Sequence, residues 1–257
     1  MALFQSRVRE DRMLAHRLDG DHPVVVLDDM PHLEAVQPLP DGKVLLIGRH
    51  RTVGRENAQI RDADGRLITS AFVGHDPRHV LTTPSGSTWI GYGETADDDL
   101  GLHKLVRLND ELRPQWWYPY ASERPDLPTV FDVYALNVTG ETAWCYAYTD
   151  FHLVQAFGDT VTDLGPAPPG GARAVVVDGG RGALVGGYGP EHDVIRPFHL
   201  RPGGFEVGAP VGRLVLPEGD DVGALGLTAR GADLYARSGN SSLYRVTLEE
   251  LLDGPRA

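Results

Sequence analysis

The sequence predicts an all-β protein, a β-propeller of five four-stranded blades with six as the alternative count. Three observations carry the prediction. A Gly-bearing turn between two apolar runs recurs along the chain, a second hairpin follows it in each repeat, and the two chain ends look like the halves of one more repeat.

The turn glycines Gly42, Gly86, Gly140, Gly180 and Gly231 stand 44, 54, 40 and 51 residues apart. Residues 12–28 read as the third and fourth strands of a blade turning at Asp19-Gly20. Leu39–Arg49 is then the first full hairpin, followed by Asn57–Arg61 and Arg66–Val73 around Asp64-Gly65. Thr83–Tyr92 opens the next repeat, continued by Leu102–Leu108 and Leu112–Tyr118. Val138–Tyr148 opens the third, continued by His152–Phe157 and Val161–Leu164. Val177–Tyr188 opens the fourth, continued by Val194–Leu200 and Phe205–Val211. Asx-Gly and Gly-rich pairs at these turns supply the positive φ that tight hairpins need.

Residues 222–246 supply first and second strands of a last blade, and residues 12–18 and 243–246 compete for its third-strand position. Pairing the N- and C-terminal segments in one blade closes the ring and hides its edge strands. Thr247–Gly254 carries an N-cap residue, early acidic positions and a Gly stop, so a short helix is expected. The expected organisation is one domain: closing strands in 1–31, four blades in 32–221, closing-blade strands in 222–246 and the helix in 247–254.

With these residues in view a resemblance can be stated. Leu39-Pro-Asp-Gly-Lys-Val-Leu-Leu-Ile-Gly48, with Asp64-Gly65-Arg66-Leu67 after it, resembles the repeats of NHL, YWTD and gluconolactonase-like propellers over about residues 35–250. These motifs belong to the architecture, so the resemblance implies a fold and little chemistry. The Trp-Asp pair of WD40 repeats and the sialidase Asp box are absent.

Composition narrows function by exclusion. The chain has 257 residues, 36 acidic and 24 basic side chains, and a formal net charge of −12. Such a balance argues against a phosphate-backbone binder, since that affinity comes from clustered cations, and it suits a basic partner. Lysine occurs only at Lys43 and Lys104. One cysteine excludes an internal disulfide framework and a cysteine zinc cage. No apolar run nears the roughly 20 residues that span a bilayer, and no secretory h-region is seen, so a cytoplasmic protein is expected.

In the propeller architecture, ligands take the face that carries the loops between second and third strands and between blades. Seven of the ten histidines fall in or beside those loops: His32, His50, His75, His79, His103, His152 and His192. Aligning first strands on their turn glycines puts Glu34, Arg78, Asp132, Ala172 and Gly223 at one level. The next level holds Ala35, His79, Val133, Arg173 and Ala224. Glu34, Asp132 and His79 are thus the candidate acid, base or catalytic groups. Glu34, Asp132, His152 and His192 are the candidate ligands of a divalent cation. The resemblance implies a cation at such a mouth in gluconolactonase-like enzymes, held with asparagine that these levels lack. Asp97-Asp98-Asp99 lacks the Gly and Glu of a calcium loop.

Second strands end at equivalent positions on Arg49, Tyr92, Tyr148, Tyr188 and Arg237. Tyr148 and Tyr188, with Arg78 and Arg173, are the ligand-binding candidates. Trp116-Trp117-Tyr118 must send side chains to both faces of its strand, leaving at least one partly exposed. No Gly-x-Ser-x-Gly elbow or dinucleotide fingerprint is found, and Cys145 reads as a buried small residue. The leading expectation is a non-catalytic propeller that binds a partner protein or polar ligand through its loop-rich face, without nucleic acid or membrane. A metal-dependent lactonase or hydrolase is the alternative, and a glycan-binding propeller using Trp116, Trp117 and Tyr148 comes third. An exposed aromatic patch on that face discriminates for the binding module.

Overall fold

The computed structural model describes residues 4–9, 12–17, 25–27, 33–48, 55–168, 170–216, 226–237 and 243–254. Within them the chain is an all-β, five-bladed β-propeller built from antiparallel meanders, as the repeat predicts. It forms two compact units, Met1–Tyr118 and Pro119–Ala257.

In the first unit, β1 (Phe4–Arg9), β2 (Arg12–Arg17) and β3 (Val25–Leu27) make a three-stranded sheet in that order. Two complete meanders follow. The first is β4 (Leu33–Pro38), β5 (Val44–Gly48), β6 (Ala58–Arg61) and β7 (Leu67–Ala71); the second is β8 (Pro77–Thr82), β9 (Thr88–Tyr92), β10 (Leu105–Leu108) and β11 (Pro114–Trp117). In the second unit, β12 (Asp132–Thr139), β13 (Thr142–Tyr148), β14 (His152–Phe157) and β15 (Thr160–Pro166) form the third meander. The fourth is β16 (Ala174–Asp178), β17 (Arg181–Val185), β18 (Val194–Arg201) and β19 (Gly204–Val207), with the short β20 (Gly212–Arg213) also paired to β18. The chain then adds β21 (Gly226–Arg230), β22 (Asp233–Arg237), β23 (Leu243–Thr247) and α1 (Leu248–Asp253).

The two segments competing for a third-strand position are resolved by pairing. Residues 243–247 are the third strand of the C-terminal sheet, and residues 12–17 are the middle strand of the N-terminal one. The sequence shows no strand at 4–9, where apolar and charged residues alternate only briefly. The helix starts where expected: Thr247 caps the Glu250 N–H, and the Glu250 carboxylate returns a bond to the Thr247 N–H. The Asp19-Gly20 turn, His32, His50, Gly223, Ala224 and Arg49 lie outside the described residues.

Second strands are buried at almost every position. Thr88–Tyr92 is buried throughout, and Thr142–Tyr148 is buried except at its ends. Outer strands are wetter: Leu67, Ile68 and Trp117 are exposed. The period-two alternation of β16 shows how the sheets stack. Val175 and Val177 pack with Trp144, Tyr146 and Leu153 of the third sheet. Ala174 and Val176 face the other way, onto Leu234, Ala236, Leu248 and Leu251. Asn137, fully buried, joins two meanders: its amide donates to the Gly231 carbonyl at 2.9 Å and its oxygen accepts from the Gly231 N–H at 2.7 Å.

Candidate functional site

A register detail decides what the third meander presents at its loop end. Leu33 pairs with Gly48 and Ala35 with Ile47, so Glu34 is an extra, bulged residue. Arg78 is bulged in the same way between Pro77 and His79, and Tyr134 between Val133 and Ala135. By register within each hairpin, Tyr134, not Asp132, is therefore the residue equivalent to Glu34 and Arg78. Alignment on turn glycines misses this because the hairpins differ in length. The first turns through Pro40–Gly42 with its strands closing at Pro38 and Val44, whereas the third closes more tightly, at Thr139 and Thr142.

Tyr134 enters a cluster of aromatic rings drawn from four places at that end. Phe131 precedes β12, and its N–H donates to the Tyr148 carbonyl at 2.7 Å, extending the ladder. Tyr148 ends β13, with its ring 5.6 Å from that of Tyr134. Phe151 sits in the turn to β14 and Tyr188 in the loop after β17. The Phe151 ring stacks on Tyr146 at 5.4 Å and stands nearly perpendicular to Tyr134 at 5.2 Å and to Tyr188 at 5.8 Å. The Tyr134 and Tyr188 hydroxyls share a hydrogen bond of 2.7 Å. Tyr188 is 54% exposed and Phe131 49%, while Tyr146 lies beneath, fully buried, donating to the Ala167 carbonyl.

Local backbone pins this surface. Phe151 has φ +55°, a left-handed conformation that is costly for a bulky side chain, and its carbonyl accepts from the Ala167 N–H at 2.8 Å. Gly170 and Gly171 lie against the rings. A Cβ on Gly171, at φ +88°, would come within 2.9 Å of the Tyr188 ring, and one on Gly170 would strike Phe151. Glu191, three residues after Tyr188, is tied to the buried Arg196 at 2.7 Å. Burial, then the Tyr188 hydrogen bond and the charge of Asp132 raise the Tyr134 phenol above its ordinary range. Burial also raises the Tyr146 phenol, and it pushes the Cys145 thiol up to about 12.

Of the sequence candidates, Tyr148 and Tyr188 are brought into one cluster. Asp132 pairs with Tyr148 in register, and Arg173 lies just before β16, its N–H donating to Val185. His152 is held by both oxygens of Asp163, at 2.8 and 2.9 Å, and the His192 ring by the Gly189 carbonyl at 3.0 Å. In the other unit, Glu34 is exposed, His79 faces Gly91, and Arg78 pairs with Asp76 at 3.0 Å. Among the described residues, no three His, Cys, Asp or Glu side chains form a group able to hold a metal ion. Asp98 is engaged by the N–H groups of His75, Leu100 and Gly101, so its loop caps itself. Beside it the buried Lys104 ammonium donates to the Gly93 and Ala96 carbonyls at 3.0 and 2.9 Å. Trp117 is the exposed member of its triplet, against His103, while Trp116 packs on Trp89.

Phe131, Tyr134 and Phe151 are the members of the cluster that sequence reading missed. The available signal was the density of aromatic residues at both ends of the β12–β13 hairpin, together with its short turn.

No protein-family model matches the sequence, and no curated protein does. Solved structures do. KlAtg21, in its complex with the coiled coil of AgAtg16, is similar with a TM-score of 0.56 at 10% identity, over 96% of this chain and 81% of that one. The nidogen/laminin complex gives a TM-score of 0.54 at 9% identity, over 97% and 90%. A catalytically inactive virginiamycin B lyase from Staphylococcus aureus with quinupristin gives 0.49 at 10%, over 96% and 74%. The likeness is one of propeller fold alone, and a fold carries many activities.

Proposed function

We propose that the protein is a non-catalytic binding propeller that docks a partner protein on the aromatic surface of Phe131, Tyr134, Tyr148, Phe151 and Tyr188. One observation supports this reading above all: rings in mutual contact at a loop end, with the outermost about half exposed. Water-facing aromatic area of that kind is costly unless it is covered in use. Tyrosine is also well suited to docking, because it offers a large apolar face and a polar tip at little entropic cost. The short hairpin, the Phe151 turn and the Gly170-Gly171 contact hold the rings in place before a partner arrives, which lowers the cost of ordering on binding.

The test compares proteins captured from source-cell extract by the wild type and by a Phe131→Ser/Tyr188→Ala double variant. Both substitutions fall on half-exposed side chains, so the melting temperature should hold. The reading expects a discrete protein retained by the wild type and lost from the variant. Identical capture by the two would overturn it.

A further inference from the structure

The Tyr134 and Tyr188 phenols stand in position to react with each other. Their hydroxyl oxygens share a hydrogen bond of 2.7 Å, and their ring centroids are 6.2 Å apart. The ortho carbons, which flank each hydroxyl, therefore lie around that same contact. Tyr188 is 54% exposed, whereas Tyr146 beneath it is fully buried. Gly187 and Gly189 flank Tyr188, so the backbone on either side can take up a small shift of its ring. The two tyrosines are 54 residues apart, one on β12 of the third meander and the other in the loop after β17 of the fourth. Tyr148 is the competing neighbour, its ring 5.6 Å from that of Tyr134 at an angle of 30°.

From this geometry we propose that Tyr134 and Tyr188 form an oxidative cross-linking site, at which hydrogen peroxide acting through a one-electron haem peroxidase joins the two rings. Each phenol loses one electron and its hydroxyl proton, giving a phenoxyl radical whose unpaired spin reaches the ortho carbons. The para carbon is blocked by the side-chain stem, so one carbon–carbon bond forms between an ortho carbon of each ring. The hydrogen on each coupled carbon then leaves as a proton while a proton returns to each oxygen, restoring two aromatic phenols. In sum the pair gives up two electrons and two protons, and one hydrogen peroxide takes them up to become two waters. The product carries its hydroxyls on the carbons next to the new bond, hydrogen-bonded to each other, so the starting contact already has the product's arrangement. The link staples the Tyr188 loop to β12, and it does not depend on the docking reading.

The wild type, kept dilute, is treated with a haem peroxidase and one equivalent of hydrogen peroxide, and its tryptic peptides are mapped by mass. Trypsin spares Arg-Pro bonds, so Tyr134 falls in peptide 108–173 and Tyr188 is the one tyrosine of peptide 182–213. The expected product is a monomer lighter by two hydrogens in which these two peptides are joined. Tyr148→Phe should keep the join and Tyr134→Phe should remove it. A light-driven ruthenium–persulfate oxidant takes the same two electrons and works in urea. With it, the join should form at least about tenfold less in the unfolded chain, which has lost the proximity of the pair. Because a link closing 54 residues restricts the unfolded chain, the cross-linked monomer should also unfold at higher urea than the parent. A join that survives Tyr134→Phe, a join lost in Tyr148→Phe, equal yields from folded and unfolded chains, or cross-linked dimers alone would each overturn the assignment. An unchanged urea midpoint would overturn the staple.

Discussion

Phe151 offers a test of the cluster in which the sign of an effect matters more than its size. Its ring touches Tyr134, Tyr146, Tyr148 and Tyr188, and its backbone is left-handed at φ +55°. Removing a fully buried Phe ring costs about 3–5 kcal/mol; this ring is partly exposed, so Phe151→Ala should cost about 2–3 kcal/mol. Phe151→Gly loses the same ring but also releases left-handed strain of about 1–2 kcal/mol. Glycine's extra unfolded-state freedom takes back about 0.5–1 kcal/mol of that gain. Phe151→Gly should therefore be more stable than Phe151→Ala by about 0.5–1 kcal/mol. In an ordinary strand or helix the order is reversed by a similar amount. Urea unfolding of both variants at one pH, with equal slopes, reads the difference directly. If the glycine variant is the less stable, the left-handed turn that aims Phe151 into the cluster is wrong.

Other expectations follow from the same contacts. Tyr92, Tyr134, Tyr146 and Tyr235 all have phenols raised chiefly by burial. The unfolded chain then loses those protons near pH 10 while the folded one keeps them, so stability is full below about pH 10 and falls as pH rises through the folded values. Absorbance titration should show these four among the nine tyrosines ionising late; nine ionisations together near pH 10 would contradict it. Cys145, the single cysteine, is buried with its thiol raised to about 12, so a thiol reagent should label it only after unfolding. Asn137→Ala removes two bonds to Gly231 and should cost about 2–4 kcal/mol in urea unfolding, towards the low end because the Gly231 N–H also reaches the Val138 carbonyl. A cost under 0.5 kcal/mol would mean that the Asn137 link carries no stability.

Much of the fold was legible because it rests on local punctuation. Turn glycines and alternating apolar runs mark the first hairpin of each of the four complete meanders, and Thr247 with Glu250 marks the helix start. The first strand, Phe4–Arg9, was not legible: its alternation is short and charged, and its partner strands decide its state. The candidate site was legible in half. Tyr148 stands out because it ends a second strand at a place that recurs in each repeat, and Tyr188 shares that sequence position although β17 itself stops three residues earlier, at Val185. Tyr134 does not, since its level depends on a bulge and on turn length, which a count of residues from the glycine ignores. Phe151 was hidden for another reason: its role follows from a left-handed backbone that aromatic residues rarely adopt.

The docking surface is the central claim, and one pair of affinities tests it most directly. The captured partner, once purified, is titrated against the wild type, Tyr188→Ala and Trp117→Ala, two substitutions of aromatic residues about equally exposed, at 54% and 47%. The account predicts a loss of about 30-fold or more for Tyr188→Ala, as for a central aromatic anchor, and a change within about twofold for Trp117→Ala. An unchanged affinity for Tyr188→Ala, or a loss confined to Trp117→Ala, would contradict it.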